Sequence, residues 1–134
     1  MNRRTFLMST AAVTIAPLSA VAFEDYAPGA IQTALDNGQT VLVDYAANWC
    51  STCARQERVI NALREADPAY DANLTFVRVD WDDFGKHEVT TSRGIPRRST
   101  LILLRGDQEL GRLVAQTGEA QIKELLDLGV AQAS

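Results

Sequence analysis

Of the 134 residues only two are cysteine, two are methionine and one is histidine, and that scarcity excludes several kinds of site. Structural zinc normally takes four ligands, usually Cys and His, and Cys50, Cys53 and the distant His87 are all the chain has of them. Both methionines, Met1 and Met8, fall at the N-terminus, so no obvious soft ligands stand ready to complete a copper site around two thiolates. Residue 54 is alanine, which excludes a c-type haem anchor, because that motif needs His directly after its second cysteine. Positive charge is short as well: 13 Lys and Arg face 17 Asp and Glu, the reverse of the basic footprint of a nucleic-acid binder. Repeats, low-complexity tracts and internal linkers are missing, so the length is that of one domain. A hydrophobic content of 46% with 22% charged residues makes that domain globular.

An apolar run of the about 20 residues that cross a bilayer is also lacking. The nearest approach, residues 1–22, carries Arg3 and Arg4 and then an Ala/Ser/Thr-rich stretch broken by Pro17 and closing at Ala20-Val21-Ala22. It reads as an export signal, with a retained N-terminal anchor as the alternative. "NRRTFL" resembles the twin-arginine signal, with Phe6 and Leu7 in the expected places and Asn2 and Met8 departing from the pattern. Cleavage after Ala22 would leave a domain over 23–134 and remove two arginines, taking the balance from 13 minus 17 to 11 minus 17, or −6. Export to the periplasm would put the cysteines where a disulfide forms and persists, with proteins or small molecules as partners.

The elements follow from periodicity. "PGAIQTALDNGQ" predicts a helix closed by Asn37-Gly38, and "TVLVDYA" a short buried strand. "ARQERVINALREA" predicts a helix with Val59, Ile60 and Leu63 on one face, ending before Asp67-Pro68. "LTFVRVDW" predicts a second strand, and "DDFGKHEVTTSRG" a polar, weakly helical connection. "STLILLRGDQELGRLVAQ" predicts a hairpin turning at residues 105–108, and "GEAQIKELLDLGV" a closing amphipathic helix with Ile122, Leu125 and Leu126 inward. Strands separated by helices make parallel crossovers, and a terminal hairpin is antiparallel. The fold class is therefore α/β, a mixed central sheet with helices on both faces.

Within that frame Cys50 falls at the start of a helix and Cys53 one turn later on the same face. The unpaired amides and positive end of the helix stabilise a thiolate at Cys50, which becomes the attacking nucleophile. Cys53 then attacks the mixed disulfide and releases the partner. An inert structural bridge would close a tiny loop and constrain little of the unfolded chain. Asp44 interrupts the apolar run Val41-Leu42-Val43-Asp44-Tyr45, where aspartate is depleted. Buried, it would have a raised pKa suited to exchanging a proton with Cys53; alternatively it points out from the sheet. Gly94-Ile95-Pro96 precedes a strand, a place for either a cis or an ordinary trans proline.

Together "VLVDYAANWCSTC", "TFVRVD", "RGIP" and the final hairpin plus helix resemble the thioredoxin family, in its order and near its spacing, over residues 24 to 130. The resemblance implies a thiol:disulfide oxidoreductase without organic cofactor or metal. It also implies that Asp44 is the buried acid behind Cys53, that Trp49 flanks the redox pair, and that Ile95 and Pro96 form the substrate-binding edge, with Pro96 cis beside Cys50. Ser51-Thr52 replaces the Gly-Pro common between such cysteines, Phe76 stands where a lysine is frequent, and "RRST" lengthens the stretch after Pro96. That insertion would bring Arg97 and Arg98 close to the site, either as a selector of acidic partners or as a solvated loop. His87 reads as a surface residue and Trp81 as packing. The expected activity is reduction of exported proteins by a soluble monomer, with electrons from a membrane thiol transporter. Oxidation or isomerisation, and a copper chaperone using the same thiolates, are the alternatives.

Overall fold

A computed structural model of the protein describes residues 22–133, so the expected export signal lies outside the described residues but for Ala22. The order is β1 (Glu24–Asp25), α1 (Ala30–Asp36), β2 (Thr40–Ala46), α2 (Ser51–Ala66), α3 (Pro68–Asn73), β3 (Leu74–Asp80), α4 (Trp81–Phe84), α5 (Glu88–Thr91), β4 (Thr100–Arg105), β5 (Gln108–Val114) and α6 (Glu119–Ala133). The strands form one sheet in the order β1-β3-β2-β4-β5. β1, β3 and β2 run parallel, while β4 is antiparallel to both β2 and β5. The sheet is mixed, as the sequence order of strands and helices requires.

Alternation along β2 divides the core. Val41, Val43 and Tyr45 enter a cluster with Ile31 and Leu35 of α1 and Val89 of α5. Leu42 points to the other face, among Ile60 and Leu63 of α2 and Ile122, Leu125 and Leu126 of α6. Every residue of β2 is buried, which is why it reads as a continuous apolar run rather than an alternating one. The hairpin turns on Gly106, at φ 58°, between Arg105 and Gln108. A bulge between Leu103 and Leu104 leaves Leu110 opposite no partner.

Three features differ from the sequence expectation. β1 is two residues long, too short to leave a periodic signature. α3 follows α2 at once because Asp67 caps it, accepting from the Ala69 amide at 2.9 Å, and Pro68 occupies its first turn. The Asp-Pro pair that signals the end of one helix therefore also opens the next. The weakly helical connection resolves into two single turns, α4 and α5, capped by Asp80 and His87.

Candidate functional site

β2 ends at Ala46, and four residues later Cys50 takes the N-cap of α2 with extended backbone angles (φ −93°, ψ 109°). Its Sγ accepts a hydrogen bond from the Cys53 amide at 3.2 Å, taking the place that a Ser or Asp oxygen fills at most N-caps. Cys50 and Cys53 form a disulfide, with Cα atoms 5.3 Å apart. Both are buried and pack with Ala46, Ala47 and the partly buried Trp81. A sulfur so placed faces the unpaired amides and the positive end of a 16-residue helix, which favour its anion.

Asp44 lies in β2 on the face that carries Leu42 toward α2, directly across from Arg78 in the register with β3. It is fully buried, and neither carboxylate oxygen has a hydrogen-bond partner. Burial pushes its pKa up to about 7; the Arg78 charge opposes this and Glu57, one turn beyond Cys53 on α2, adds to it. The outward-pointing alternative for this residue is thereby excluded.

Trp49 is 58% exposed and braced from two sides. Its Nε1 donates to both carboxylate oxygens of Asp82 at 3.0 Å, and the Arg98 guanidinium lies 4.4 Å above the ring centroid, a cation–π contact. Arg98 is thus at the site, as the lengthened loop implies. His87 accepts from the Val89 amide through Nδ1 and caps α5.

The expectation for Pro96 is corrected. No peptide bond among the described residues is cis, and Pro96 is exposed. Ile95 is buried in the opposite cluster, with Tyr45 and Val89, and not with the cysteines. The physical reason is the path of the chain: Arg97 and Arg98 carry it onward from Pro96, and Ser99, whose amide donates to the Tyr45 carbonyl, holds the position immediately before β4. Its Oγ lies 3.2 Å from Cys50 Sγ and 3.1 Å from Cys53 Sγ. Ser99 has φ 63°, and its carbonyl accepts from Nε2 of Gln56, which also donates to the Gln116 carbonyl, both at 2.9 Å. Sequence reasoning missed both residues. Gln56 left a trace, a polar residue within the apolar stripe Cys53, Ile60 and Leu63 of α2; Ser99 left none.

A family model described as thioredoxin-like matches residues 22–125. The chain belongs to the thioredoxin family. A Dictyostelium discoideum protein provisionally named thioredoxin-4 is 30% identical over 72% of this chain and 89% of its own length. A thioredoxin of Alicyclobacillus acidocaldarius is 28% identical over 71% of this chain and 86% of its own. Among solved structures, Trxlp from Edwardsiella tarda is 34% identical with a TM-score of 0.67, over 78% of this chain and 98% of that one. Thioredoxin relatives and the bonded Cys50-Ser51-Thr52-Cys53 motif identify this member of the family as a thiol:disulfide oxidoreductase.

Proposed function

We propose that this thioredoxin-like protein works in the periplasm, reducing disulfides of exported proteins and being re-reduced by a membrane thiol transporter. The Cys50 thiolate attacks a substrate disulfide, forming a mixed disulfide and expelling the first substrate thiolate. Cys53 then loses its proton and attacks Cys50 Sγ, restoring the disulfide seen here and releasing the second thiolate. The observation that carries the exchange chemistry is the pairing of a capped, amide-bonded Cys50 sulfur with a partnerless buried acid, Asp44. Such an acid is suited to take the Cys53 proton in the resolving step. The reductive direction rests on Trp49 and Asp44, which resemble their counterparts in reducing thioredoxins, and residues 1–22 carry the reading of export.

Trapping with Cys53→Ser tests the reading. Exported proteins should accumulate as mixed disulfides on Cys50, and the wild-type protein should stand mainly as the dithiol in the exporting cell. A chain held mainly oxidised would reverse the direction. Stoichiometric copper binding by the reduced protein, with no reduction of insulin-type disulfides and nothing trapped, would replace the enzyme with a copper carrier.

A further inference from the structure

The two sulfurs of a disulfide carry no hydrogen, so the Ser99 hydroxyl, 3.2 Å from Cys50 and 3.1 Å from Cys53, is the donor, its one hydrogen directed to either sulfur or shared between them. The geometry points to Ser99 as a catalytic residue of the exchange reaction, its hydroxyl donating to whichever of the two sulfurs bears the negative charge.

The position is built and not incidental. Ser99 is wholly buried, so water does not compete for the hydroxyl. Its amide donates to the Tyr45 carbonyl at 2.7 Å, and its carbonyl accepts from the Ala115 amide at 2.8 Å and from Gln56 at 2.9 Å. These bonds tie the residue to β2, to α2 and to the end of β5. They hold a left-handed backbone (φ 63°) that non-glycine residues disfavour. The hydroxyl is thereby fixed between two atoms whose charges alternate during turnover.

In the dithiol form the Cys50 thiolate receives two donors, the Cys53 amide and the Ser99 hydroxyl. When Cys50 bonds to a substrate sulfur, the substrate S–S bond breaks and its electron pair leaves on the other substrate sulfur. Cys50 is then neutral. Cys53, once deprotonated, becomes the charged sulfur and takes the Ser99 hydrogen bond. Its attack forms the Cys50–Cys53 bond, breaks the bond to substrate and expels the second thiolate. The substrate has gained two electrons, and its two thiolates take protons from solvent; the enzyme has lost two electrons and the Cys53 proton, the Cys50 proton having left when its thiolate formed.

The test compares Ser99→Ala with Ser99→Gly, both without the hydroxyl and the second free of the cost of positive φ. The readout is the thiolate absorbance and the alkylation rate of reduced Cys50 across pH. Loss of a charge-assisted donor should raise the Cys50 pKa by about one unit in both variants, and below both pKa values alkylation should slow about tenfold. The reduced form loses its stabilised anion, so the reduction potential should fall by about 30 mV for that tenfold change. A Cys50 titration unmoved in the folded glycine variant overturns the proposal, as does a shift in the alanine variant alone, which would assign the effect to backbone strain.

Discussion

Asp44 stands in the central strand with both carboxylate oxygens unpartnered. Below about pH 4 it is protonated in the folded and unfolded chain alike. Between about pH 4 and 7 the unfolded chain has released this proton and the folded chain still holds it, because burial lifts the folded pKa from 3.8 to about 7. Stability therefore falls as pH rises through that window, by on the order of 4 kcal/mol at 1.36 kcal/mol per unit. Asp44→Asn removes the titration. In urea melts the variant should match the wild type near pH 4 and exceed it by several kcal/mol near pH 8. Its resolving step should be slower by roughly 10²-fold and lose the rise with pH through about 7 that the carboxylate base produces. A wild-type stability that stays level from pH 4 to 8 would show that Asp44 ionises as freely as an exposed carboxyl.

Among the elements, α2 does most to build the site: Cys50 caps it, Cys53 and Glu57 continue one face, and Gln56 ties it to two loops. Gln56→Ala leaves the Gln116 carbonyl without its donor and Ser99 with one fewer, against a gain of no new packing. The expected cost is about 1–3 kcal/mol, read as a lower thermal midpoint, with faster hydrogen exchange at the Ser99 and Ala115 amides. Much of this scale was legible. A helix period starting just after Trp49-Cys50 and an apolar run ending just before it place the cysteines at a strand-to-helix junction without coordinates. The loop before β4 was not legible, because which of Pro96, Arg97, Arg98 and Ser99 meets the sulfurs depends on how the chain bends after Pro96. Local propensity carries no information about that bend, which is held by tertiary hydrogen bonds of Ser99 to the Tyr45 carbonyl and from Gln56 and the Ala115 amide. β1 and α3 were hidden for a plainer reason, since two and six residues are too few to show a period.

At the scale of the whole molecule, charge and address go together. The 17 acidic residues outnumber the 13 basic ones, and Arg98 sets a positive charge over Trp49, the neighbour of Cys50, on that acidic chain. The proposed export rests on Arg3 and Arg4. Replacing both with lysine should hold the precursor in the cytoplasm if the twin-arginine route is used, and N-terminal sequencing of the wild-type protein should begin at Phe23. Unchanged export of the double-lysine variant would move the protein to the general route, and an intact Met1 in the exported form would make residues 1–22 an anchor.

The chain has two tryptophans, and both border the redox pair: Trp49 immediately precedes Cys50, and Trp81 packs on the cluster that contains the sulfurs. Indole emission is quenched by a neighbouring disulfide and responds to a nearby thiolate or cation. Reduction of the pair should therefore change the indole emission, an optical gauge of oxidation state by which electron exchange with a partner could be followed in real time with no dye attached.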